Sequence, residues 1–134
     1  MHVHTQYYKK ISSDQIGFLV EPSEKERVNA TAVIIEIPEG VNITSLPGVA
    51  ALTIPEFPNA NYIKLVVDGN ILGAGGYGSG GGVQNHAQNT KIRPWGDGLI
   101  RGGGASSGAV RNAFNGPVDL VNGNKSDLPR IFNF

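Results

Sequence analysis

The chain has 134 residues, with 11 basic and 11 acidic side chains, a formal net charge of zero and no cysteine. That length suits one domain with a real core, and the missing cysteines exclude a disulfide framework and a zinc ribbon. Balanced charge gives no steering towards nucleic acid or anionic lipid, and no apolar run reaches membrane-spanning length or resembles a signal peptide.

Residues 1–27 read as an N-terminal arm and connector. Met1 to Tyr8 is rich in β-formers and carries no helical stripe, and Ile16 to Val20 is a second short apolar run. Glu21 to Arg27 is a charged connector with room for one helical turn behind Pro22, although a solvated loop fits it better. Residues 28–134 read as a single all-β domain. Val28–Ile37 is β-branched almost throughout and stops at Pro38-Glu39-Gly40. Val41–Thr44, Ala50–Ile54 and Tyr62–Val67 follow, each bounded by Pro, Gly or Asn. Short strands at near-regular spacing predict a short-stranded antiparallel sandwich or prism.

Asp68-Gly69 predicts a type I′ hairpin leading into Asn70-Ile71-Leu72. Behind it, residues 68–104 hold most of the 19 glycines. Because these glycines grow directly out of a strand, ordered loops are expected in spite of the entropy that glycine loses on folding. Lys91 to Arg101 contains the single tryptophan, Trp95. The tail alternates weak strands with turns and ends Ile131-Phe132-Asn133-Phe134, apolar enough to dock on its own core or on a neighbouring chain.

Gly73-Ala74-Gly75-Gly76-Tyr77-Gly78 matches a dinucleotide fingerprint, but Ser79-Gly80-Gly81-Gly82 cannot begin the helix that the fingerprint requires. His86 and Asp97 could be drawn into a triad with a serine, yet nothing fixes that geometry, and the carboxylates form no periodic pair. No enzyme is expected. His2 and His4 would share one face of an extended strand, so three chains around an axis could offer six imidazoles to a structural transition metal. A fraying terminus explains the same pattern, and no other cofactor is expected. Tyr77, Gln84, Asn85, His86, Lys91, Arg93 and Trp95 sit on or beside the glycine loops, together with Gln88 and Asn89. Aromatic rings and amides on loops suit a recognition surface. Internal plugging by Tyr77 and Trp95 is the alternative.

At Ala51-Leu52-Thr53-Ile54, and again from Leu65 through Asp68-Gly69-Asn70 to Ile71-Leu72-Gly73-Ala74-Gly75-Gly76, the chain resembles the glycine-rich tip regions of tailed-bacteriophage tail-fibre and tail-tip receptor-binding proteins. The likeness spans residues 31–82. It implies a virion component, assembled in the host cytoplasm and often homotrimeric, that sits among other virion proteins. Its distal loops would contact a bacterial surface glycan or outer-membrane protein, with no membrane insertion and no nucleic acid. The resemblance also implies that an H-x-H pair such as His2 and His4 can hold iron on a three-fold axis. A purely architectural capsid or tail subunit is the competing expectation.

Overall fold

The computed structural model describes residues 5–75, 80–87, 89–103, 112–120 and 128–132. The chain winds in successive coils, each contributing one short strand to each of three sheets. The first coil holds β1 (Gln6–Lys10), β2 (Gln15–Ile16) and β3 (Phe18–Leu19). A short helix, α1 (Glu24–Asn29), leads to β4 (Ala32–Ile37), β5 (Asn42–Thr44) and β6 (Leu52–Ile54). The third coil is β7 (Ile63–Val67), β8 (Asn70–Leu72) and β9 (Val83–Asn85), and the fourth is β10 (Ile92–Trp95), β11 (Leu99–Arg101) and β12 (Phe114–Asn115). Beyond it, Val118 bridges back to Ile92 and β13 (Arg130–Phe132) pairs with β11.

Every strand pair among the described residues is parallel. Sheet A runs β1-β4-β7-β10, sheet B runs β2-β5-β8-β11-β13, and sheet C runs β3-β6-β9-β12. One coil takes about 30 residues, since Ile35 faces Leu65 and Asn42 faces Asn70, a period typical of solenoids. The fold is therefore all-β as expected, but it is a parallel β-solenoid and not an antiparallel sandwich or prism. Residues 6–19, read from sequence as an arm, are the first coil. Tyr7 and Ile11 lie in the core there, and β1 pairs with β4 along its full length.

The alternating burial of β4 and β7 explains the fold. In β4, Val33, Ile35 and Ile37 are fully buried while Ala32, Ile34 and Glu36 face outwards. The register then stacks like on like: Val33 on Ile63 on Ile92 in sheet A, and Ile43 on Ile71 on Ile100 in sheet B. Sheet C stacks Phe18, Leu52, Val83 and Phe114. All three columns meet in one apolar core. Burying each such side chain is worth roughly 1.5–3 kcal/mol, so the inward column is what holds one coil on the next.

Asp68-Gly69 is not a hairpin turn. It is the corner between sheets A and B, so β7 and β8 lie in different sheets. Asp68 N and Gly69 N both donate to Ile37 O, at 2.9 and 3.1 Å, and Asn70 N donates to Val41 O at 2.9 Å. A Cβ on Gly69 would collide with Val41 O and Pro38 O of the coil before it. Close approach, not left-handed backbone, selects glycine here. α1 is set by a capping box. Ser23 Oγ accepts from Glu26 N at 3.1 Å, and Glu26 Oε1 accepts from Ser23 N at 2.9 Å. Arg27 bonds Glu24 and reaches Glu56 O at 3.0 Å, tying the helix to the next connector.

Two consequences can be measured. Leu65→Ala, at a fully buried site in the middle of sheet A, should cost about 2–5 kcal/mol in chemical denaturation, whereas Thr53→Ala on an outward position should stay within about 0.5. Tyr7 packs on Phe57 with ring centroids 5.5 Å apart, and burial, helped by the charge of Glu26, raises its phenol pKa above 10.0. The fold favours the protonated phenol. The stability that it lends is thus full below the ordinary tyrosine value and lost as pH rises through the raised one. A circular-dichroism titration should accordingly show Tyr7→Phe less sensitive to alkali than the parent chain.

Candidate functional site

The three corners of the solenoid differ sharply. The A–B corner is tight, passing from Val67 to Asn70 in coil three. The B–C corner, by contrast, is a longer connection in every coil from the second onwards, its described residues being 45–51, 73–75 with 80–82, and 102–103 with 112–113. These connections leave adjacent strands of one parallel sheet, so their described ends lie stacked on each other. Their described parts form a layer in which backbone packs directly on backbone.

The hydrogen bonds of this layer run within the third coil's segment and from it to the coils on either side. Ala74 N donates to Ser45 Oγ at 2.7 Å, Gly80 N to Ala74 O at 2.9 Å, and Gly103 N to Gly80 O at 2.8 Å. Gly73 N donates to Arg101 O at 2.8 Å, and Ala51 N to Gly81 O at 3.0 Å. No side chain would fit between them. A Cβ on Gly73 would meet Gly80 O, one on Gly80 would meet Ser45 Oγ and Val49 O, and one on Gly103 would meet Ala74 O. Glycine at these positions is a packing requirement, and the backbone groups are paired instead of being left to water. Beside the layer, Leu46 and Val49 stand 61% and 50% exposed, which is unusual for side chains of that size next to an ordered loop base. Sequence reasoning missed them. The signal was present as two apolar residues flanking the Pro47-Gly48 turn.

The second distinctive surface is the outside of sheet A. Tyr8, Ile34, Lys64 and Arg93 occupy one outward row, and Lys10, Glu36, Val66 and Trp95 the next. The Lys64 ammonium lies 4.8 Å from the Trp95 ring centroid, and the Arg93 guanidinium 4.6 Å from that of Tyr62. Such pairs are worth about 0.5–1 kcal/mol each where exposed. The Tyr8 hydroxyl donates to Glu36 Oε2, and that bond raises the Tyr8 pKa.

The residues singled out from sequence therefore do not form one cluster. Arg93 and Trp95 lie on the outer face of sheet A, with Lys91 exposed just before β10, away from the B–C corner. Gln84 faces outwards on β9 of sheet C, and His86 is exposed immediately after it. Asn85 differs from expectation. It is 4% exposed, its amide donates to Thr90 O and Pro117 O at 2.9 and 3.0 Å, and its carbonyl accepts from Ala87 N at 3.0 Å. An inward position on β9 has turned this amide into a clamp for the connector between coils, with no surface left for a ligand. Tyr77 and Gln88, like His2 and His4, lie outside the described residues. Among the described residues no group of three or more His, Cys, Asp or Glu side chains is arranged to hold a metal, and no helix is long and apolar enough to cross a membrane.

A family model described as phage tail fibre adhesin Gp38 matches residues 12–125, from the turn after β1 to beyond β12. No curated protein matches the chain, and no solved structure matches it.

The glycine layer can be probed within itself. Gly103→Ala, whose new methyl would strike the Ala74 carbonyl, should cost about 1–3 kcal/mol in thermal or urea unfolding. Gly81→Ala should cost clearly less, because the nearest atom is the end of the Asn115 side chain at 3.2 Å, which can move.

Proposed function

The chain belongs to the phage tail fibre adhesin Gp38 family, and from that premise we propose that it attaches the virion to its host by binding a bacterial surface receptor through the stacked loops of the B–C corner. The receptor is a glycan or an outer-membrane protein of the bacterial surface. The work is done by binding alone, with no covalent step.

The observation that carries this reading is the bonded glycine layer from Ser45 to Gly103. Loops used for recognition are costly to order on contact, and each immobilised segment subtracts from affinity. A layer in which the loop bases are already paired, backbone to backbone, removes much of that cost before the receptor arrives. The solenoid supplies the rigid support on which binding loops are usually carried. Leu46 and Val49 add apolar area at the rim of the layer, the kind of side chain that anchors an interface once water is excluded.

The test uses the purified chain, labelled and mixed with a panel of intact bacterial strains. Saturable binding to the strains that the parent phage infects is expected. Replacing both Leu46 and Val49 by Ser should weaken it by about tenfold or more while leaving the unfolding midpoint nearly unchanged. Binding to no strain, together with incorporation into particles that still infect, would contradict the proposal and favour an architectural subunit.

A further inference from the structure

The outer face of sheet A places two cations where a sheet ordinarily avoids them. Lys64 and Arg93 are direct register partners on β7 and β10, and both point outwards. Like charges facing each other across neighbouring strands destabilise a sheet. Among the described residues Lys64 forms no ion pair. Arg93 is ion-paired with Asp119, whose Oδ2 stands 3.9 Å from Nε, beyond hydrogen-bond reach, so that buried Nε has no hydrogen-bond partner.

Aromatic rings hold both cations where they are, Trp95 under Lys64 and Tyr62 under Arg93. A ring quadrupole orients a cation without neutralising it, so the Lys64 ammonium, with no ion pair among the described residues, keeps its charge and stays fixed in position. Next to them is a shallow depression of about 280 Å³ lined by Lys64, Val66, Trp95, Gly96 and Asp97. That is at the small end of ligand-binding cavities. Its lining combines an apolar floor, a fixed cation and a carboxylate at the rim.

From this arrangement the geometry points to a binding site for an anionic sugar unit on the outer face of sheet A. The acid group, carboxylate or phosphate, is held by the Lys64 ammonium at the edge of the depression. The sugar ring rests against Val66 and Trp95. Its hydroxyls donate to Asp97, a carboxylate that would repel a bare anion but accepts hydrogen bonds from a polyol. A simple anion would use the cation alone, and a neutral sugar only the ring and the carboxylate. An acid sugar uses all three. The inference rests on the adhesin reading only for the source of that sugar, the bacterial envelope. The site itself is separate from the B–C corner.

Trp95 is the single tryptophan of the chain, so tryptophan emission, excited beyond the tyrosine band, reads this face alone. The full-length protein is titrated with glucuronic acid and with glucose 6-phosphate, and in parallel with glucose and inorganic phosphate. The expected result is a saturable change with at least one acid sugar, about tenfold or more tighter than with glucose or phosphate, as one charge-assisted bond warrants. Lys64→Gln should weaken that binding by about tenfold with an unchanged circular-dichroism spectrum, and Lys64→Arg should largely keep it. No saturable change with either acid sugar overturns the site, as does an equal response to inorganic phosphate or indifference to Lys64→Gln. Cell binding is read separately. Cells bound without any sugar response defeat this inference alone, and a sugar response without cell binding defeats the adhesin reading alone.

Discussion

The structure depends on one constraint, that successive coils must approach closely enough for backbone to bond backbone at the corners as well as along the strands. Within the sheets this follows from the parallel ladder and the inward columns of Val, Ile and Leu. At the B–C corner no ladder is available, and the chain meets the constraint with Gly73, Gly80 and Gly103, each at a position where a Cβ would collide with a neighbouring backbone or hydroxyl oxygen. The same requirement recurs at the A–B corner in Gly69. Glycine is entropically expensive to order. The paired amides of the layer and the apolar columns beneath it offset that expense together.

How much of this was legible in the sequence depends on which link of the chain is asked about. Strand positions were readable, because Val33-Ile34-Ile35-Glu36-Ile37 and Ile63-Lys64-Leu65-Val66-Val67 are runs rich in β-branched residues that end at turn signals. The neighbour of each strand was not. Period-two alternation marks a sheet with one wet face, which ordinarily means antiparallel pairing, and a solenoid is a parallel case with the same signature. Asp68-Gly69 reinforced the error, since the dipeptide that makes a hairpin also makes a tight corner. The repeat of about 30 residues is carried only by inward positions such as Ile43, Ile71 and Ile100, and loops of unequal length at the B–C corner blur it elsewhere.

The candidate residues divide in the same way. Arg93 and Trp95 were singled out as recognition side chains on or beside the glycine loops, but they lie on the outer face of sheet A, because β10 continues that sheet one coil beyond the glycines. Asn85 reads from sequence as one more loop amide, whereas its burial follows from the inward phase of β9, which only the fold reveals. Leu46 and Val49 went unnoticed because exposed apolar side chains beside a turn gain meaning only once the stacked loops around them are known. A solenoid allows such division of labour: corners carry loops that vary freely, while faces present rows of side chains at fixed spacing.

The most direct measurement is hydrogen–deuterium exchange on the purified chain with and without envelope vesicles from a susceptible bacterium. Binding at the B–C corner predicts slowed exchange in the backbone of residues 45–51, 80–82 and 102–103, with little change in β3, β6 and β9 of sheet C. Protection confined to β3, β6 and β9, with those loop segments unaffected, would contradict the account.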